Sequence, residues 1–211
     1  MISVVIPVYN EEKHIAATVE QIRRRDVDKL ISEIIISDGG STDNTIRVAT
    51  DSGSRVVSCP KKGRAAQMNF GAGVATYELL YIIHADTLPP YGFSTEITRS
   101  VNAGADAGCF MLKFDHPHWF LQSLCWFTRF DLDAFRYGDQ SLFIRKSIFL
   151  EQGGFREDHI VMEDYELVKR VRKKSKFVVI KESVVTSARK YLENGIFKTQ
   201  AVFFIIFFMY K

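Results

Sequence analysis

Three apolar runs constrain this chain more than any other feature. They are "SVVIPVY" at 3–9, "EIIIS" at 33–37 and "ELLYII" at 78–83. None alternates apolar with polar residues, so each reads as a strand buried on both faces of a sheet. Helical patterns fill the gaps. Ile15, Val19 and Ile22 recur at helical spacing, and Arg23-Arg24-Arg25 closes that segment with the charge a helix C-terminus favours. Asn10 is placed as its N-cap, with Glu11 and Glu12 in the first turn. A second helix runs through Ile46, Val48 and Ala49, a short strand covers 55–58, and a third helix covers 65–75. Such alternation gives an α/β fold, a mostly parallel sheet flanked by helices with right-handed crossovers. Beyond residue 105 the pattern is mixed. Strands are expected at 107–114, 141–145 and 177–180, and helices at 119–130, 146–152 and 163–173.

Open parallel sheets bind ligands outside the carboxyl ends of their strands. Four such ends carry polar groups here: Asn10-Glu11, Asp38, the basic loop "KKGR" at 61–64, and His84 with Asp86. All would open on one rim. Asp38 can accept hydrogen bonds from a base or ribose, or close an Asx-turn in its own loop. Lys and Arg suit phosphate oxygens, and Arg can engage them bidentately. Side chains at i and i+2 of a strand share a face, so His84 and Asp86 are expected to point together. Asp86 suits Mg2+ or Mn2+, which bind substrate phosphates through one or two carboxylates plus water. His84 suits softer metals or a hydrogen-bonding role beside the site. Glu163-Asp164 opens a late helix, where the pair either complements the helix dipole or supplies a general base. No GxGxxG or GxxxxGK[ST] is present, which excludes the usual dinucleotide and P-loop sites.

The net charge of +3 gives no reason to expect nucleic acid as a partner, and 46% hydrophobic residues over 211 positions suffice for a single core. Cys59, Cys109 and Cys125 lack zinc-ligand spacing and fit a reducing compartment. The opening "MISVVIP" has neither a basic n-region nor a cleavage site, so a cytoplasmic location is expected. "AVFFIIFFMY" at 201–210 is too short to span a bilayer and reads as a core helix or an interfacial anchor. An anchor would place the protein at the inner face of the cell membrane. The expected organisation is one domain over 1–200 with an apolar tail at 201–211.

In order, "VVIPVYNEE" (4–12), "DGGSTDNT" (38–45), "KGRAAQMNFGA" (62–72), "HAD" (84–86), "GDQSLFIRKSIFLEQGGF" (138–155) and "EDYEL" (163–167) resemble the family-2 glycosyltransferases of GT-A fold. The closest likeness is to a compact bacterial subgroup with a HAD variant of the D-x-D motif. The resemblance implies a Rossmann-like sheet and an inverting sugar transfer from a nucleotide-diphosphate donor to an acceptor hydroxyl. Pro7, Tyr9 and Glu11 would line the nucleoside pocket, Asp38 would contact the base, and Lys62 and Arg64 would lie near base and pyrophosphate. Ala85 is grouped with the donor. Asp86 would hold the metal, Mg2+ or Mn2+, with His84 standing where the family has its first acid. Asp164 would be the catalytic base, with Glu163 beside it. Gly39 replaces the family's second acid of "DDGS", and the Q-x-x-R-W motif of processive members is absent, which points to one sugar per acceptor. Arg189 and Lys190 of "SARKY" lie in the comparable region as candidate diphosphate contacts. The aromatic stretch at 118–130 and the apolar tail bring a lipid acceptor into consideration. The alternative is a nucleotide-sugar-binding pseudoenzyme or membrane-associated scaffold.

Overall fold

The computed structural model of the protein describes residues 1–130, 138–159 and 161–210. They are organised by an eight-stranded sheet in the order β3-β2-β1-β4-β7-β6-β8-β5. β1 (Ile2–Val8), β2 (Ile31–Asp38), β3 (Arg55–Ser58) and β4 (Leu79–Ile82) run parallel. α1 (Ile15–Arg25), α2 (Thr45–Asp51) and α3 (Arg64–Val74) connect them.

The apolar runs explain the layering. In β1, Ile2, Val4, Ile6 and Val8 enter one core and Val5 the other. Ile34 and Ile36 oppose Ile35 in the same way, and Tyr81 and Ile83 oppose Leu80 and Ile82. Successive strand side chains point to opposite faces, so a sheet covered on both sides needs unbroken apolar runs. Burying each such side chain contributes roughly 1.5–3 kcal/mol. α1 seats Ile15, Val19 and Ile22 in the first core, and α3 seats Ala65, Met68 and Ala72 in the second. α3 lies so close to β1 that a Cβ on Gly71 would stand 2.5 Å from Val5.

The second half is mixed, as expected. β7 (Leu142–Arg145) runs antiparallel to both β4 and β6 (Ala107–Phe114), while β8 (Phe177–Thr186) is parallel to β6. β5 (Thr87–Leu88) pairs with β8 at the edge. The reversal at β7 matters for the site. It brings the amino end of β7, and the 3-10 turn Gly138–Gln140 before it, to the rim where β1–β4 end. α5 (Trp119–Phe127), α6 (Lys146–Glu151), α7 (Glu163–Lys174) and α9 (Ile196–Tyr210) complete the layers with two elements the sequence pattern left unmarked, α4 (Phe93–Asn102) and α8 (Arg189–Asn194). α4 buries Phe93, Ile97 and Val101, a spacing that was readable.

Two local expectations are corrected. α1 begins at Ile15 and Asn10 does not cap it. Asn10 adopts a left-handed φ of 55°, and its Oδ1 accepts the Thr42 N–H at 2.8 Å, tying it to the loop after β2. β4 ends at Ile82, so strand alternation does not extend to His84 and Asp86. They lie in a turn closed by Thr87 N–H donating to the His84 carbonyl at 3.2 Å. Residues 201–210 of the apolar tail form the latter part of α9, which begins at Ile196.

Candidate active site

On one side of the rim the loops after β1 and β2 are laced into a single piece. The buried Asp38 carboxylate accepts N–H bonds from Gly40 at 2.8 Å and Ser41 at 3.1 Å. Glu12 accepts from Asn44 N–H at 3.0 Å, and Thr45 Oγ1 accepts from Glu11 N–H at 2.7 Å. Pro7 is buried within β1, and Tyr9 is exposed just past its end. Gln67 holds this side together. Its buried Nε2 donates to the carbonyls of Val8 (2.6 Å) and Ser37 (3.0 Å) at the ends of β1 and β2. A Cβ on Gly39 would stand 2.7 Å from that same nitrogen, so any side chain there would displace the Gln67 amide.

On the other side, charged groups from four segments meet. Arg64, at the start of α3, donates from Nε to Glu163 Oε1 at 2.5 Å, and its Nη2 lies 3.5 Å from Asp164 Oδ2. His84 Nδ1 stands 3.3 Å from Asp139 Oδ1 in the 3-10 turn. Glu163 is 1% exposed, and its Oε2 has no hydrogen-bond partner among the described residues. Among the described non-glycine residues, four have positive φ. Asn10, Ser141 and Met162 are three of them, and each flanks the site. Left-handed backbone of this kind persists where surrounding structure over-determines it and clusters at functional sites.

Desolvation and close charges act together on these groups, with Arg64 and Asp139 still about 45% exposed. It raises the Asp164 carboxyl above the usual range, Arg64 opposes the rise, and Glu163 adds to it. For His84, burial acts downward, yet the hydrogen bond to Asp139 and the nearby carboxylates leave the imidazole more readily protonated than usual. Asp139 is held below the usual range, because the His84 hydrogen bond and the charges of His84, Arg64 and Lys190 outweigh burial. Arg64 stays firmly protonated despite its own desolvation, through Asp164 and Glu163.

The remaining expected residues are spread along the rim. Lys62 is exposed on the loop after β3, where Lys61 pairs with Glu157 at 2.8 Å, and Arg64 is exposed at the first position of α3. Glu11 lies 3.8 Å from Arg189, which also reaches His14 at 3.1 Å. Burial raises the Glu11 carboxyl, with Arg189 opposing. Ala85 is buried, and its carbonyl accepts from Thr18 Oγ1 at 2.6 Å. Asp86 is exposed. Its main-chain carbonyl is taken by Ser187 N–H, and its carboxylate makes a long contact to Thr87 Oγ1 at 3.4 Å. Among the described residues no three His, Cys, Asp or Glu side chains form a metal-holding cluster. One accessible carboxylate still fits a hard cation that takes its other ligands from a diphosphate and water.

The family model for glycosyl transferase family 2 matches residues 3–149, well over half of the chain. The chain belongs to glycosyl transferase family 2. Among curated members, it is 37% identical over 94 residues to glycosyltransferase GlyG of Streptococcus pneumoniae, covering 42% of this chain and 31% of GlyG. It is 36% identical over 100 residues to glucosyl-3-phosphoglycerate synthase of Mycobacterium tuberculosis, covering 43% and 30%. The matches thus span about a third of the length of these relatives. The family 2 fold is equally plain in solved structures. S. aureus TarS 1-349 in complex with UDP superposes with a TM-score of 0.75 at 16% identity, covering 88% of this chain and 60% of TarS 1-349. The M. tuberculosis synthase in complex with Mn2+, UDP and glucosyl-3-phosphoglycerate gives 0.67 at 18%, covering 87% and 70%. The eight-stranded mixed sheet is therefore a GT-A fold.

Within this family 2 site, Asp139 and Gln67 are the contributors the motifs did not single out. Asp139 sits inside the quoted "GDQS" stretch, but its pairing with His84 needs the antiparallel β7, which no local pattern announces. Gln67 lies within "GRAAQMN", where it reads as an ordinary helical residue.

Proposed function

We propose that this chain is an inverting glycosyltransferase that moves a sugar from a nucleotide-diphosphate donor to an acceptor hydroxyl. The single observation that carries this reading is the Arg64 bridge. One guanidinium joins the basic loop after β3, where a diphosphate would lie, to Glu163 and Asp164 at the start of α7. Uridine as the donor base is the reading favoured by the UDP complexes of TarS and the mycobacterial synthase.

In this mechanism the loops clamped by Asp38 present Tyr9 to the nucleoside, and Lys62 and Arg64 engage the diphosphate. A divalent cation, Mg2+ or Mn2+, held by Asp86 supplies charge neutralisation for the leaving diphosphate when bound. His84, engaged by Asp139, lies close enough to Arg64 and Asp164 for their charges to act on it. Asp164 accepts the proton of the acceptor hydroxyl as that oxygen attacks the anomeric carbon. The bond from that carbon to the diphosphate oxygen breaks, and the diphosphate leaves with the electron pair. A single displacement inverts the configuration.

Asp164→Asn tests this assignment. UDP-sugar binding should stay near wild type while UDP release falls at least about 100-fold, the scale of a general base. Turnover near the wild-type rate would overturn it. A pseudoenzyme is the second reading, favoured by His84 in place of the first acid of D-x-D. It requires the wild-type protein to bind the donor without releasing UDP.

A further inference from the structure

The double glycine of "QGGF" at 152–155 has no part in the mechanism above. Gly153 and Gly154 are both left-handed, with φ of 77° and 67°, and their N–H groups close the end of α6 on the Leu150 and Phe149 carbonyls. Side chains from two other helices grip the turn they make. From α3, Asn69 Oδ1 accepts the Phe155 N–H at 2.8 Å, and Asn69 Nδ2 donates to the Phe155 carbonyl at 2.8 Å. A Cβ on Gly154 would stand 2.6 Å from Asn69 Oδ1, so this grip requires glycine. From α7, Arg170 donates to the Gln152 carbonyl and, at 2.6 Å, to the Gly154 carbonyl. Glu166, one turn earlier in α7, fixes that guanidinium with two bonds of 2.6 Å. Phe155 itself is buried in the core that α3 and α7 share.

The turn therefore ties α3 to α7. The same helices are tied at their amino ends by Arg64 with Glu163 and Asp164. At the helical rise, the second tie lies about 7–9 Å along each helix from the first. Substrate treats the two ties differently. A diphosphate competes for Arg64 and so loosens the first. At the second, Asn69 is neutral and the Arg170 guanidinium is already held by Glu166 and two carbonyls.

We infer that Asn69 and Arg170, acting through the 152–155 turn, are positioning residues that hold Asp164 in register with the donor once the diphosphate has taken Arg64. The inference rests on the transfer mechanism above. Its weight in the rate is large, because a misplacement of about 1 Å at the reacting atoms can cost about 100-fold.

Asn69→Ala tests this with two readouts. Counted per UDP-binding site, kcat should fall at least about tenfold, while UDP affinity stays within about twofold of wild type. In hydrogen exchange with UDP bound, the first turn of α7 should exchange at least about tenfold faster than in wild type, and β1 and β2 should be unchanged. Arg170→Lys keeps a cation for Glu166 but lacks the fork that reaches both carbonyls. It should show the same two defects more mildly, and it carries the test if Asn69→Ala does not fold. Glu157→Gln removes the charge from the other partner of the Asn69 amide and should behave as wild type. Wild-type kcat and exchange in Asn69→Ala would overturn the inference. So would faster exchange spread over the whole chain, which marks general destabilisation, or a Glu157→Gln defect as large as that of Asn69→Ala. A wild-type chain that binds UDP but releases none from a UDP-sugar would fail the transfer reading alone, and the exchange contrast would still decide whether the turn holds α7.

Discussion

The two sides of the rim use their polar groups in opposite ways. After β1 and β2, carboxylates are consumed by backbone N–H groups: Asp38 by Gly40 and Ser41, Glu12 by Asn44. Around α7, side chains face one another instead: Arg64 with Glu163 and Asp164, His84 with Asp139. A carboxylate satisfied by backbone is a structural clamp, because it fixes the turn to which its N–H donors belong. A carboxylate held by a mobile guanidinium is exchangeable, because an incoming phosphate can compete for the same cation. The first side should therefore govern stability and donor fit, and the second turnover and its pH dependence.

Arg64→Gln should break the second side most severely. Losing a charged partner for the diphosphate is expected to weaken UDP-sugar affinity by about 10–100-fold, measured by calorimetric titration. An affinity within twofold of wild type would place the diphosphate elsewhere. Asp38→Ala attacks the first side. Removing the charged acceptor of the Gly40 and Ser41 N–H groups should cost about 1–3 kcal/mol of stability, read from urea unfolding. An unchanged midpoint would mean the loop does not depend on this clamp. Gly39→Ala is a milder probe of the same side. The added Cβ presses on the Gln67 amide and should cost about 1 kcal/mol or somewhat more. Combining it with Gln67→Ser should cost less than the two single changes added together, and additive costs in a double-mutant cycle would show that Gly39 and Gln67 are independent.

The same contrast explains what could be read from the sequence. β1, β2 and β4 were legible because an apolar run buried on both faces has no other simple explanation. The polar rim was legible because parallel strands all end on one side. The loop clamps were half legible: Asp38 followed by two glycines permits an Asx-turn, and that is its bonding here. Gln67 was not, since nothing in "GRAAQMN" says that one amide will reach the ends of two strands. The Arg64–Glu163 and His84–Asp139 pairs were not legible either. They join positions far apart in the chain through a strand reversal at β7, and pairwise contact at that separation leaves no periodic trace. His84 and Asp86 illustrate the limit from the other direction. Period-two reasoning placed them on one face, but it holds only while the strand lasts, and β4 stops at Ile82.

The smallest expected effect is also the sharpest test of the second side. As a base, Asp164 works only when ionised, so turnover falls as pH drops through its pKa. Burial lifts that pKa above the ordinary aspartate value of about 3.9, so the acidic limb should lie higher than for an exposed carboxylate. Glu163 contributes to the lift as a neighbouring negative charge, and Arg64 opposes it as a cation. Glu163→Gln removes the negative charge and leaves Arg64 with Asp164 as its remaining partner in the pair. Both changes favour the ionised base, so the limb should move to lower pH by about one unit or less. Arg64→Gln removes the cation, and its residual activity should show the limb moving to higher pH. The two variants thus predict shifts of opposite sign in the pH profile of kcat. Shifts of the same sign, or none, would mean that the titrating group is not Asp164. Complete loss of turnover in Glu163→Gln, with donor affinity intact, would transfer the base role to Glu163, whose buried Oε2 already lacks a partner among the described residues.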